Sequence, residues 1–210
     1  MKKLNLPFLY MACLLLVGML FSAVPASDNG YQVGDTARDF KLKNTDGKLV
    51  SMADYKDAKG FIVTFTCNTC PYAIAYEDRL IDLHNKYAPK GYPVVAINPN
   101  DVKVSPKDSY PDMQQRAKDK KFPFAYLQDE TQEITKAYGA SRTPHLYILQ
   151  KQKDGSLKVA YIGTIDDNYK DASAVQKKYA EAALNDLVQG KQVSQPNTKA
   201  IGCTIKWREA

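Results

Sequence analysis

One local arrangement constrains this chain more than any other. Phe61-Ile62-Val63-Thr64-Phe65, a continuous apolar and β-branched run, leads within two residues into Cys67-Asn68-Thr69-Cys70-Pro71 and then into a helical pattern. A run without polar alternation suits a strand buried on both faces, in a sheet covered by helices. Pro71 suits the first turn of a helix, where its missing N–H is no loss. Ala73, Ile74, Leu80, Ile81, Leu83 and Tyr87 form an apolar stripe along that helix, and Pro89 and Gly91 end it.

Strand and helix signals alternate through the rest of the chain. Phe40 to Leu42 and Lys48 to Val50 flank Asn44-Thr45-Asp46-Gly47, a hairpin turn in which Gly tolerates positive φ. Pro93 to Ile97 predicts a second buried strand, Met113 to Lys121 a helix, Phe124 to Leu127 a strand, and Glu130 to Tyr138 a helix stopped by Gly139. Leu146 to Leu149 and Val159 to Ile162 are joined across Lys153-Asp154-Gly155, short enough for an antiparallel pair. A final helix is expected over Ser173 to Leu187. This order predicts an α/β fold: a central, mixed, mostly parallel sheet flanked by helices, with an N-terminal β-hairpin.

The Cys67-x-x-Cys70 spacing supplies the chemistry. Placed at a helix N-terminus, Cys67 meets unpaired N–H groups and the positive end of the helix dipole, both of which favour a thiolate. The thiolate is the attacking species in disulfide exchange. Cys70, one turn deeper, can attack a mixed disulfide at Cys67 and release the product. Two other uses compete. A structural bridge across so small a loop restricts the unfolded chain little. A zinc knuckle needs a second cysteine pair, which this sequence lacks.

A second motif, Arg142-Thr143-Pro144-His145, precedes the Leu146 strand. With Gly34-Asp35-Thr36-Ala37-Arg38-Asp39-Phe40, Phe65-Thr66-Cys67-Asn68-Thr69-Cys70-Pro71-Tyr72, Ala96-Ile97-Asn98-Pro99-Asn100-Asp101 and Tyr138-Gly139-Ala140, it resembles the thioredoxin-like superfamily. The likeness is to its exported, peroxiredoxin-like branch, the AhpC/TSA-related redoxins, over roughly residues 33–190. The resemblance implies a thioredoxin-like fold and a cis bond between Thr143 and Pro144. It also implies a substrate-binding role for both residues, with the Thr143 backbone pairing to an extended partner segment beside Cys67. The activity implied is thiol–disulfide oxidoreduction through Cys67 and Cys70, with no cofactor. Its partners would be protein disulfides or dithiols and an upstream electron donor.

The sequence departs from that pattern in several places. Thr66 stands where thioredoxins carry Trp, and no acid occupies the Phe61-Ile62-Val63 strand. Glu77 is the nearest acid on the helix face and a candidate proton acceptor for Cys70. It lies seven residues on, about 10 Å along the axis, so transfer requires water; pairing with a nearby Lys or Arg is the alternative. Thr64 and Arg142 could imitate two of the groups that polarise peroxide in peroxiredoxins, which keeps a thiol peroxidase as an alternative; Gly60 holds the position of the third, a Pro. Cys67, Cys70 and His145 form a possible Cu(I) or zinc trio, the basis of a metal-carrier alternative. His84 falls on the buried helix stripe as a core histidine. Cys203 is either a resolving thiol or a buried small side chain, the latter favoured because buried free Cys is common.

The amino terminus reads as a leader. Lys2 and Lys3 precede an apolar stretch from about Phe8 to Phe21, and Ser22-Ala23-Val24-Pro25-Ala26 is a cleavage pattern. The domains follow: a signal peptide over 1–26, a linker over 27–33, a redoxin domain over 34–190, and a tail over 191–210 that docks on the domain, as Trp207 suggests. Export to a periplasm fits best; an uncleaved anchor or lipid attachment at Cys13 are the alternatives. The apolar stretch is short for a membrane span. Lys2 and Lys3 supply two of the 29 basic residues, so the +6 net charge becomes +4 after cleavage. The remaining charges are interspersed, and no basic stripe interleaved with aromatics points to nucleic acid.

Overall fold

The computed structural model describes residues 30–209. The expected leader, its cleavage after Ala26, Cys13 and the first part of the linker, residues 27–29, lie outside the described residues. Among the described residues, no helix is long and apolar enough to cross a membrane.

A short β1 (Thr36–Ala37) is followed by a hairpin of β2 (Leu42–Asn44) and β3 (Leu49–Val50), then β4 (Gly60–Phe65) and α1 (Pro71–Tyr87). Next come β5 (Val94–Asn98), α2 (Tyr110–Lys120), β6 (Ala125–Gln128), α3 (Glu133–Tyr138) and β7 (Arg142–Thr143). The chain closes with β8 (His145–Lys151), β9 (Leu157–Gly163), α4 (Tyr179–Val188) and β10 (Cys203–Thr204). Eight strands form one mixed sheet in the order β1-β9-β8-β4-β5-β6-β2-β3. The sheet is mixed as expected but not mostly parallel: parallel pairing is confined to β4, β5 and β6, because short hairpin connections add antiparallel strands on both sides. β7 and β10 form a separate two-stranded ribbon.

β4 is buried along its whole length. Alternation sends Phe61, Val63 and Phe65 into one core with Ile97, Leu127, Tyr138 and Tyr147. Ile62 goes to the opposite face, against Tyr76, Leu80 and Tyr87 of α1 and Leu184 of α4. Each such fully buried large side chain contributes about 1.5–3 kcal/mol. Gly60 has a packing role: a Cβ there would lie 2.1 Å from the Leu149 carbonyl oxygen and 2.5 Å from the Tyr92 ring.

Three expectations shift. The buried face of α1 is Ala73, Tyr76, Glu77, Leu80, Leu83 and Tyr87, whereas Ile74 is exposed, because the i, i+3, i+4, i+7 row begun at Ala73 passes it by. α2 starts earlier, at Tyr110, since the Ser109 hydroxyl caps it and Pro111 fits its first turn. The last helix starts only at Tyr179. Asp171 captures the Ser173 N–H and Asp167 the Gln176 N–H, so this stretch makes a short turn and an extended segment instead.

Candidate active site

β4 delivers the chain to the sheet's carboxyl edge, and the dithiol loop follows. Cys70, with φ −74° and ψ 124°, is the N-cap of α1. Cys67 sits three residues earlier on the loop, so it is Cys70, not Cys67 as expected, that stands at the helix N-terminus. Both are free thiols and both are buried.

A carboxylate holds the loop from one side. Asp108, 1% exposed, accepts the Asn68 N–H at 2.7 Å, the Thr69 hydroxyl at 2.9 Å, the Ser105 hydroxyl at 2.6 Å and the Asn100 amide at 2.8 Å. Asn68 is fixed further: its amide donates to the Lys107 carbonyl at 3.0 Å, and its side-chain oxygen accepts the Tyr126 hydroxyl at 2.9 Å. The bonds to the Asp108 carboxylate are charge-assisted, and such bonds are roughly twice as strong as neutral ones. The two residues between the cysteines therefore serve as anchors.

The other side is the Thr143 edge. The Thr143–Pro144 peptide bond is cis. Cys67 Sγ lies 3.4 Å from the Thr143 hydroxyl, and Cys70 Sγ lies 2.9 Å from the Thr143 carbonyl oxygen. This edge does not face solvent. β10 pairs with β7 in antiparallel register, Cys203 opposite Thr143 and Thr204 opposite Arg142. The Cys203 N–H points at Cys70 Sγ, 3.4 Å away, and its side chain packs on the dithiol.

The three sulfurs share their protons. The Cys67 thiol donates to Cys70, and with burial and the nearby Asp108 charge this pushes Cys67 well above the ordinary thiol range. Cys70 is pulled down to about 5, first by the Cys67 thiol and then by the Cys203 thiol and the Ala73 and Cys203 N–H groups. The Thr143 carbonyl oxygen works the other way, because it accepts the Cys70 thiol proton and repels a thiolate. Burial pushes Cys203 up to about 11, followed by its donation to Cys70 and the Cys70 charge. Cys67 and Cys70 therefore titrate as a pair that loses one proton readily and keeps the other.

The accessory candidates divide. Thr66 and Glu77 line a small cavity of about 10 Å³ that also touches Cys67 and Tyr126. Glu77 is held by Arg116 through two bonds of 2.6 and 2.8 Å, so the pairing alternative describes it. Thr64 is fully buried in β4, and its hydroxyl has no hydrogen-bond partner. Arg142 extends toward the tail, 3.4 Å from the Gly202 carbonyl oxygen. Among the described residues, the side-chain hydrogen bonds of Cys67 go to Thr143, Thr69 and Cys70, not to Thr64 or Arg142. The Cys67, Cys70 and His145 trio does not form: His145 Nδ1 accepts the Ser141 N–H at 3.3 Å and the ring lies on Tyr147. Among the described residues no group of three His, Cys, Asp or Glu side chains is placed to hold a metal. Burial pushes His145 down to about 4. His84 is half-buried, accepting the Val94 N–H at 3.2 Å.

Comparison with known proteins places this geometry. A family model described as the AhpC/TSA family matches residues 33–161. The chain belongs to that family. An uncharacterized conserved protein from Geobacillus kaustophilus is 38% identical, with 87% of this chain and 95% of that one covered and a TM-score of 0.79. A hypothetical protein from Sinorhizobium meliloti 1021 is 32% identical over 87% of this chain and 98% of that one, with a TM-score of 0.78. A peroxidoxin from Mycobacterium tuberculosis shares the fold at 15% identity, over 76% and 97% of the two chains, with a TM-score of 0.55. No curated protein matches. The fold is thioredoxin-like, and the AhpC/TSA sheet and helices place the dithiol where β4 meets α1.

Two participants escaped the sequence reading of this AhpC/TSA chain. Asp108 lies 40 residues from Asn68 in a loop with no pattern of its own. The tail's route was the other. Ile205, 4% exposed, is the side chain that enters the core, while Trp207 stays 39% exposed. The only available signals were Asn100 and Asp101, which bind the tail through Lys206 N–H at 2.9 Å and Arg208 at 2.8 Å.

Proposed function

We propose that this chain is an exported thiol–disulfide oxidoreductase that exchanges disulfides with protein partners through Cys67 and Cys70. The observation that carries this reading is the dithiol itself: two buried thiols at the strand-to-helix junction, sharing protons and bracketed by both polar groups of Thr143.

Moving the shared proton onto Cys70, which then donates it to the Thr143 carbonyl, leaves Cys67 as the thiolate. The Thr143 hydroxyl and the Cys70 N–H stabilise it there. Cys67 attacks one sulfur of a partner disulfide, and the other partner sulfur leaves as a thiolate and takes up a proton. Cys70 then attacks the Cys67 sulfur, the second partner thiol leaves, and a Cys67–Cys70 disulfide remains. Two electrons have passed to the partner. An upstream dithiol returns them by the reverse sequence.

A peroxidase reading needs Thr64 and Arg142 to act at Cys67; Arg142 instead reaches the Gly202 carbonyl oxygen, and the buried Thr64 hydroxyl bonds to no group. The test is insulin disulfide reduction by the full chain with dithiothreitol as donor. The reading expects Cys67→Ser to lose at least about a thousandfold in rate, given that exchange depends on an ionised thiol. A Cys67→Ser variant as active as wild type ends it.

A further inference from the structure

The tail occupies the place reserved for a partner. An extended segment pairs antiparallel with Thr143, presents a cysteine opposite it and lays that cysteine on the dithiol; here the segment is residues 202–204 of the same chain. The approach is close. A Cβ on Gly202 would lie 2.2 Å from the Thr143 carbonyl oxygen and 3.0 Å from Pro144 N, so only glycine fits where the tail crosses the edge. The tail is anchored on both sides of this point. Upstream, Thr198 N–H donates to the Ile162 carbonyl at 3.0 Å. Downstream, Ile205 is buried in the core, and Gln132 donates to the Lys206 carbonyl at 2.9 Å.

We propose that Cys203 is a third redox-active thiol, an internal partner that takes the disulfide from Cys67–Cys70 and parks it as Cys70–Cys203. This rests on the dithiol exchange proposed above. Cys70 is the sulfur the other two meet: the Cys203 N–H lies 3.4 Å from Cys70 Sγ, and the Cys203 side chain packs in one cluster with Cys67 and Cys70. A displacement at the central sulfur needs such a placement. The Cys203 thiolate attacks Cys70 Sγ, the Cys67–Cys70 bond breaks, the Cys70–Cys203 bond forms, and Cys67 leaves as a thiolate and is protonated. No electrons are gained or lost, and Cys67 is returned free.

Electrostatics favour the step when it is needed. In the reduced protein burial first, then the hydrogen bond to Cys70 and the Cys70 charge, hold the proton on Cys203. Once Cys70 is in a disulfide its two contributions are gone, and Lys206 and Arg142 act against burial alone, which eases loss of the Cys203 proton.

The test oxidises the reduced full chain with one equivalent of glutathione disulfide, quenches in acid, alkylates free thiols and maps bridges by mass spectrometry. The expected result is two bridged species, Cys67–Cys70 and Cys70–Cys203, the second with Cys67 alkylated. Bridging through Cys67–Cys70 alone, with Cys203 fully alkylated, overturns the proposal and leaves the dithiol reading standing. No bridge at Cys67 or Cys70 defeats that reading itself. In Cys67→Ser, glutathione attached to Cys70 is expected to be displaced by Cys203 within the protein; persistent glutathionylation overturns the proposal. Gly202→Val should cut Cys70–Cys203 bridging at least tenfold while Cys67–Cys70 still forms. Undiminished Cys70–Cys203 bridging in that variant overturns delivery by the tail strand.

Discussion

The two flanks of the dithiol are built from different materials. On one flank a single buried carboxylate, Asp108, gathers four donors and fixes both residues between the cysteines. On the other, Thr143 and the tail strand meet the sulfurs with backbone groups and one more thiol. The first flank positions the loop and offers nothing that exchanges. The second carries a group of the same chemistry as the site itself. The difference shows how one fold can hold a reactive pair rigidly on one side and present it to a sulfur on the other.

The largest expected effect breaks the rigid flank. Asp108→Ala leaves four donors without their acceptor, so urea unfolding of the oxidised protein should show a loss of about 3–5 kcal/mol. A loss under about 1 kcal/mol, the level of an exposed pair, would make both flanks equally loose. Next comes an acid sensitivity on the second flank. The folded value of His145, about 4, lies below the ordinary 6.5, so the unfolded chain binds that proton first. Stability is present above pH 6.5 and is lost as pH falls toward 4, by about 3 kcal/mol. His145→Asn keeps an acceptor for the Ser141 N–H and does not titrate. Its unfolding free energy should fall less between pH 7 and pH 4 by that amount, and parallel pH profiles would contradict the account.

Smaller effects sharpen the comparison. Ile205→Ala should cost about 2 kcal/mol in urea unfolding, since it empties a core position at the tail's anchor. An unchanged midpoint would mean that the tail is held elsewhere. The smallest effect is on ionisation. Gly202→Val unseats the Cys203 donors from Cys70 and should raise the first thiolate titration, followed at 240 nm, by about one pH unit. An unmoved titration would show that the tail does not tune the pair.

What the sequence made legible follows from distance along the chain. The strand, the dithiol, Pro71 and the helix are contiguous, so burial pattern and helix-start chemistry marked them together. The mixed sheet was legible because its strands alternate with helices in simple order. Ile74 misled because apolarity was read without the row that starts at Ala73. Residues 173–178 misled because two aspartates captured N–H groups that a helix would have used. Asp108 and the seat of Cys203 were hidden for a stronger reason. Their partners lie 40 and 133 residues away, and no local period records such a meeting. The sharing of a proton within the pair was hidden for the same cause: the Cys67 and Cys203 thiols and the Cys203 N–H, which lower Cys70, act through the folded site rather than through the helix.

The central claim is that the thiols at the β4–α1 junction form a reversible two-electron couple. The direct measurement equilibrates the full chain in glutathione buffers of graded ratio and counts alkylatable cysteines by intact mass after acid quenching. The account predicts one sigmoidal transition in which two thiols disappear and return together, and which is absent in Cys70→Ala. Cysteines that stay alkylatable at every ratio, or that only accumulate glutathione without pairing, would contradict it.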